Sequence, residues 1–505
     1  MASLEEIREI NLKKLQALKD KGVDPYPISV SRDISLKDVA DNFEKIDDKK
    51  SLHLAGRIMA LRPQGGLVFF HFDDGTGRFQ GLIKEDEMDK EAFSLWQNTV
   101  GIGDFVEVKG SLFITKRGEK TIKVSEWKML AKTLRPLPEK WHGLQDVEER
   151  FRKRYLDILM SGEVKERFVL RSKIVSSIRA FLNKAGFLEV ETPILQVLAG
   201  GATALPFKTR HNALDLDMYL RIAPELYLKR LLVGGFPKVY EIGRNFRNEG
   251  IDVSHNPEFT MLEFYEAYSD AEKEMAFVEK LIKFIAKEAL EKDKFEFEGN
   301  EISLSKKFAR VSYYELLQRY ALIENPEKVS LEELKLKAAQ LGVKVEEGDG
   351  TQKILDNIYK KMCRPKLIQP AFITDYPASY LPLAKRKPEN PELVDAFQLV
   401  MGGVEIAKAF SELNDPIDQR ERFKKEEEAK SAGDKEAQPN DEEFLEALEY
   451  GMPPAGGVGI GIERLMIVMS GVKNIREVML FPTLRPKFEE KPREKKSEEE
   501  KEKEK

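Results

Sequence analysis

Residues 236–268 read FPKVYEIGRNFRNEGIDVSHNPEFTMLEFYEAY. Two strand-like runs flank a loop, residues 250–257, that holds Gly, Asp, Ser, Asn and Pro, residues that turns favour. Side chains alternate between the faces of a strand, so Glu241, Asn245, Arg247 and Glu249 share one face of the first run. Phe259, Glu263 and Tyr265 share a face of the second. Side by side, the two runs present an arginine, carboxylates and two aromatic rings to one ligand. Taken alone, the same pattern also suits a solvated charged face with Phe259 in a core.

Two further stretches bear on that choice. Residues 456–471, GGVGIGIERLMIVMSG, begin with glycines that let a backbone approach a ligand closely. Isoleucine at 462 excludes the dinucleotide G-x-G-x-x-G, and no G-K-[ST] follows to make a P-loop. The run then turns helical with Arg464 in the first turn, where a guanidinium is placed to stack on a base or pair with phosphate. The plainer reading is tight strand–helix packing with Arg464 in an ion pair. Residues 395–415, DAFQLVMGGVEIAKAFSELND, predict a hairpin turning at Gly402-Gly403. On its return strand Ile406, Lys408, Phe410 and Glu412 share a face. Strict alternation sends Glu405 to the other face unless a bulge intervenes.

The elements that must hold these residues form more than one domain, since 505 residues exceed an ordinary single core. Residues 1–50 read as a helical extension with an apolar stripe, Ile7, Ile10, Leu12, Leu15 and Leu18, that packs on a neighbouring surface. Residues 51–135 look all-β, with strands predicted at 52–59, 67–73, 78–83, 105–113 and 121–130, which suits an OB-type barrel. Phe70 and Phe72 share one face of its second strand and Phe69 takes the other. Residues 136–150 read as a linker. From 151 to 486 helix and strand patterns mix: a long helix ends at Gly186, and residues 187–193 form a strand closed by Pro193. Within this part, 270–365 reads as a charged helical insertion and 418–450 as a solvated helix pair or loop. Residues 487–505 carry charge with only Phe488 apolar, so disorder or a lone solvated helix is expected.

Composition narrows the function classes. A formal net charge of -5 excludes a generally basic nucleic-acid binder, so any RNA contact needs a local patch. A single cysteine, Cys363, rules out an internal disulfide, and with five histidines it leaves no zinc-ligand cluster. No apolar run is long enough to span a bilayer and the N-terminus lacks a signal core, so no membrane partner and a cytoplasmic setting are expected.

Together the three stretches resemble the three signature motifs of class II aminoacyl-tRNA synthetases. The helix and strand ending in Pro193 match motif one, Arg247-Asn248-Glu249 with the loop and Phe259 match motif two, and Gly459-Ile460-Gly461-Ile462-Glu463-Arg464 matches motif three. Class I signatures are absent. The segments APELYLKRL (224–232), YEIGRNFRNEG (240–250), HNPEFTMLE (255–263) and FSELNDP (410–416) are similar to class II lysyl-tRNA synthetases.

That resemblance implies an α+β chain: an N-terminal OB-fold barrel reading the anticodon of a lysine tRNA, then a mostly antiparallel catalytic sheet flanked by helices, in a homodimer built on motif one. It implies ATP and L-lysine as substrates. Arg247, Glu249 and Arg464 would be catalytic. His255, Asn256, Phe259 and Gly461 would join them around ATP, with Phe259 and Arg464 sandwiching the base. Gly201, Glu225, Arg247, Glu263, Tyr265, Lys408 and Glu412 would hold lysine. Magnesium would sit on Gln398 and Glu405. Arg62, Phe69, Gln80 and Glu119 would meet the anticodon, Phe69 by stacking. The sequence departs from the family at Gln398, usually Glu; at Lys408, usually Asn; and at Leu205, usually Arg. Aspartyl and asparaginyl relatives need a cation where this chain has Glu412 and Tyr265. A ligase that lysylates a protein lacks the OB domain, and a non-catalytic RNA-binding relative would not need Arg247, Glu249 and Arg464.

Overall fold

A computed structural model describes residues 3–47, 50–138, 144–431 and 440–487. The predicted tail, from 488 onward, and part of the predicted linker, 139–143, lie outside the described residues. The chain divides into two compact units, residues 1–144 and 145–505.

In the first unit five strands close into a barrel in the order β1-β2-β3-β5-β4: β1 (Leu52–Gln64), β2 (Leu67–Asp73), β3 (Arg78–Lys84), β4 (Phe105–Ile114) and β5 (Lys120–Ala131). Phe70 and Phe72 are fully buried, while Phe69 stays partly exposed, as alternation requires. The core is dense because a glycine makes room for a ring: a Cβ on Gly81 would lie 2.1 Å from the Phe70 ring. Helix α1 (Leu4–Asp20) starts at Ser3, whose hydroxyl accepts from the Glu6 amide in a capping box. It buries Leu18 in the barrel-side core, and α2 (Lys90–Thr99) adds Phe93 and Trp96.

In the second unit an eight-stranded sheet runs in the order β9-β10-β11-β12-β13-β8-β7-β6. The strands are β6 (Leu188–Glu189), β7 (Lys238–Phe246), β8 (Glu258–Ala267), β9 (Ala309–Ser312), β10 (Ala371–Thr374), β11 (Ala396–Met401), β12 (Val404–Ser411) and β13 (Ala455–Gly461). Pairing is antiparallel except at the two ends, β9 with β10 and β7 with β6. One face packs on α3 (Gly162–Lys184), α5 (Ala271–Ile285) and α9 (Ile462–Ser470) through Ile178, Val278, Leu465 and Val458. The other carries α4 (Glu225–Val233), α7 (Pro416–Ser431) and α8 (Glu442–Glu449), whose Leu228, Phe423, Phe444 and Leu448 form a second core.

Some expectations change here. The stretch 270–365 is in part integral to the sheet's own core: α5 buries seven residues against it, and β9 extends the sheet. Its charged surface hid that buried stripe. Residues 418–450 are not simply solvated, because Phe423, Phe444, Leu445 and Leu448 are buried. The strand before Pro193 shortens to Leu188–Glu189.

Candidate active site

Antiparallel register builds the site as rows of side chains across one sheet face, because directly paired residues point the same way. One row runs Glu241, Glu263, Gly459, Lys408, Gln398. The next runs Val239, Tyr265, Gly457, Phe410, Ala396. Glycine leaves the floor bare at β13, and it must: a Cβ on Gly457 would meet Glu412 Oε1 at 2.0 Å and the Tyr265 ring at 2.5 Å. Above this floor opens a cavity of about 490 Å³.

The alternation problem at Glu405 resolves by a bulge. Gly402 and Gly403, with φ of 61° and 73°, make the hairpin turn between β11 and β12. The pairing then slips: Val400 faces Glu405 and Leu399 faces Ala407, so Ile406 is the extra residue. Glu405 and Lys408 thereby reach the same face. Ile406, expected beside Lys408, instead packs in the opposite core.

One end of the cavity is acidic. Gly201, Glu225, Glu263 and Tyr265 line it. Tyr265 donates to Glu263 Oε2 at 3.0 Å. Burial, then the nearby Glu225 charge, pushes the Glu263 carboxyl up to about 8. Glu412 lies behind the wall rather than on it, beneath Gly457. The reason is an internal cation that sequence reading missed. Lys229 of α4 is fully buried, donates to Glu225 Oε1 at 2.6 Å and makes an ion pair with Glu412 Oε2. Burial alone would lower the Lys229 ammonium; Glu225 and Glu412 outweigh it and raise it. Burial raises the Glu412 carboxyl despite Lys229, and Glu412 Oε1 has no hydrogen-bond donor among the described residues. Two carboxyls, Glu225 and Glu412, thus share one ammonium, and Glu263 adds a third carboxyl held only by Tyr265, a charge arrangement that a cationic ligand completes. A Glu and a Lys at i,i+4 normally mark a helix surface; only the packing of α4 shows this pair to be interior.

The other end is cationic. Arg247, Glu249, His255, Asn256, Phe259, Gly461 and Arg464 all line the cavity, with Glu405 and Lys408. Arg247 follows β7, its amide bonded to Pro257 O at 2.8 Å, which closes the loop. Its guanidinium stands 5.1 Å from the Phe259 ring centre. Burial lowers it, with Glu249 opposing, and Nε has no acceptor among the described residues. Arg464, in the first turn of α9, reaches Glu405 at 3.5 Å and His255 Nε2 at 3.1 Å. His255 Nδ1 lies 2.8 Å from Asp252. Burial would raise the Glu405 carboxyl, but Arg464 and then Lys408 hold it below its ordinary value. Helix α6 (Thr351–Ile358), inside the predicted insertion, brings Lys353 to the cavity, and Lys360 just beyond it lines the same wall. Glu241 and Glu463, despite their motif positions, are structural: Glu241 pairs with Arg221, and Glu463 accepts from Thr260 N at 2.8 Å and Arg171 at 2.9 Å.

The metal expectation fits in part. Glu405 faces the cavity; Gln398 does not line it. Gln398 stands one strand further out in the row, behind Lys408, with Oε1 buried and lacking a donor among the described residues. Nowhere among the described residues do three His, Cys, Asp or Glu side chains gather to hold a metal. The side chains present do not make a two-carboxylate metal site.

On the barrel, Arg62 and Phe69 are direct cross-strand partners, and His71 pairs with Gln80. His71 Nε2 also meets Glu119 at 3.1 Å. The four expected residues thus occupy neighbouring positions, with His71 as an unforeseen fifth. Gln80 differs from expectation in being buried, its amide donating to Thr121 Oγ1 at 2.8 Å.

Comparison with known proteins agrees with this geometry. Residues 146–485 match the tRNA synthetases class II (D, K and N). The chain belongs to the class II tRNA synthetases. Residues 52–130 of the synthetase match the OB-fold nucleic acid binding domain. Lysine–tRNA ligase of Pelotomaculum thermopropionicum is 49% identical over 96% of this chain and 96% of that protein. The lysine–tRNA ligase of Carboxydothermus hydrogenoformans is 48% identical, covering 96% and 99%. That of Thermotoga maritima is 44% identical, covering 96% and 98%. No helix among the synthetase's described residues is long and apolar enough to cross a membrane.

Proposed function

We propose that this synthetase charges a lysine tRNA with L-lysine in two steps, and that the two ends of its cavity divide the substrates. The observation that carries the reading is the acidic end, where Glu225, Glu263 and Glu412 outnumber Lys229. Lysine brings two ammonium groups to that surplus. Glu225, beside Gly201, takes the α-amine; Tyr265, Glu263 and Glu412 take the ε-amine, as the carboxyls ionise against it. An aspartate or asparagine side chain finds no cation there.

At the other end Arg247 and Arg464 meet ATP. A lysine carboxylate oxygen attacks the α-phosphorus, the bond to the bridging oxygen breaks, and pyrophosphate leaves. Negative charge grows on the phosphoryl oxygens in the transition state. A partly desolvated guanidinium at Arg247 opposes it without reorganisation. Phe259 and Arg464 sandwich the adenine, Glu249 accepts from its amine, and Asn256, His255 and Gly461 border the nucleotide. Glu405 is the carboxylate on the wall that would hold magnesium brought with the nucleotide, an ion that would neutralise phosphate charge. The terminal ribose hydroxyl of the tRNA then attacks the adenylate carbonyl and AMP leaves.

The barrel serves the anticodon: Phe69 stacks on a base, while Arg62, Gln80 and Glu119 meet base edges. The partner in the homodimer covers an apolar surface: Ile194, Leu195, Val197 and Leu198 are all more than 40% exposed, as is Leu188 on the edge strand β6, which supports this reading. The setting is the cytoplasm.

The test is amino-acid-dependent ATP–pyrophosphate exchange over all twenty amino acids. Exchange with lysine alone is expected. Exchange with aspartate or asparagine, or with none, overturns the reading.

A further inference from the structure

The row Glu263, Gly459, Lys408, Gln398 holds an unexplained group. Lys408 lies on the cavity wall, and among the described residues its ammonium makes no hydrogen bond or ion pair. Charged groups surround it: Glu405, Asp356 and Glu225 attract it, and Arg247 repels it. Asp356 is already paired with Lys360 at 2.6 Å, and Glu405 with Arg464 at 3.5 Å. Lys408 is half-buried, and an ammonium partly withdrawn from water with no anion of its own is costly to hold. That cost is recovered when an anion enters the cavity beside it.

The position of Lys408 says what kind of anion. It stands between the acidic end and the arginine end, on the strand that also carries Glu405. A site that held a second divalent cation on the protein would need a further oxygen ligand beside Glu405. The residue across the strand is the neutral Gln398, which does not reach the cavity, and the residue that does is a cation.

We propose that Lys408 is a fixed phosphate-binding cation that takes the place of a protein-held metal ion at the nucleotide end of the cavity. The inference rests on the nucleotide reading above. An ammonium on a rigid strand offers three N–H donors and one positive charge to phosphate oxygens and requires no metal. The chain then takes its magnesium as the counter-ion of ATP and adds no further ion of its own.

The test uses the full chain and two readings. The first is calorimetric titration with ATP in the presence of a chelator. The unaltered protein binds metal-free ATP, Lys408→Met weakens it by about tenfold or more, and Lys408→Arg stays within about threefold. The second counts manganese ions bound at saturating ATP by equilibrium dialysis. The Gln398→Glu, Lys408→Asn double variant binds one more ion than the unaltered protein. This count keeps the proposal open to refutation if Lys408→Met fails to fold. Loss of lysine affinity in Lys408→Met with metal-free ATP binding intact overturns the proposal and assigns Lys408 to the amino-acid carboxylate. Equal manganese counts in the two proteins overturn it too. No ATP binding by the unaltered chain, even with magnesium, instead overturns the nucleotide reading beneath it.

Discussion

Replacing Lys229 with methionine isolates the internal counter-ion. Methionine keeps most of the volume and removes the charge that Glu225 and Glu412 share. Lys229 is 0% exposed, so water cannot substitute for it. Breaking a buried ion pair from one side costs roughly 3–5 kcal/mol, because the remaining charge stays buried without compensation. Glu412, whose carboxyl burial already raises, escapes part of that cost by holding a proton. Without Lys229 to oppose burial its carboxyl rises further, and the folded chain holds a proton that the unfolded chain has released. Stability therefore falls as pH rises, by about 1.4 kcal/mol per pH unit for each such proton, until the raised pKa is passed. The deficit of Lys229→Met against the unaltered protein should be small near about pH 6 and reach several kcal/mol near about pH 8.5. Urea unfolding of both proteins at the two pH values measures it. Saturating L-lysine should narrow the deficit, since its ammonium enters the same field. A deficit under about 1 kcal/mol at both pH values, or one independent of pH, would show that Lys229 only fills space.

Three other outcomes follow from the same geometry. Gly457→Ala puts a methyl group where Glu412 and the Tyr265 ring already stand, so lysine binding should weaken by at least about tenfold while ATP binding persists; calorimetry with each substrate separates the two. Glu263→Gln removes a carboxyl held up to about 8, whose ionisation penalty is absent in acid, grows as pH rises and is complete above that value. The variant should gain stability of a few kcal/mol, roughly, in alkaline denaturation and little below about pH 5, while its KM for lysine rises. Phe69→Ala, at a partly exposed barrel position, should raise KM for the tRNA by about tenfold and leave ATP–pyrophosphate exchange unchanged, because base stacking is worth about 1–3 kcal/mol. A parallel loss of exchange would show that the barrel had been unfolded instead.

Much of the site was legible in the chain because its determinants are local. Alternation along β7 and β8 placed Phe259, Glu263 and Tyr265 on one face, and the register of the two strands agrees. The glycine pair at 402 and 403 announced its hairpin, and Gly461 the start of α9. In the barrel, parity put Phe70 and Phe72 on one face and Phe69 on the other, the family resemblance implied that Phe69 faces outward, and the burial of the three rings agrees.

Tertiary structure decided what depends on residues distant in sequence. A one-residue bulge at Ile406 turned Glu405 into the cavity, and bulges leave no reliable trace in a pattern of period two. Lys229 became an internal cation only because α4 is packed on both sides, bringing Glu412 to it from 183 residues away. Gln398 and Lys408 are both polar residues at strand positions expected to face the site, yet one strand's width puts Lys408 on the cavity wall and leaves Gln398 behind it. The insertion's Lys353 and Lys360 join the site for the same reason. Charge pattern tells which residues are able to bind an ion, but burial and neighbours set which of them are left without a partner, and those are properties of the folded chain.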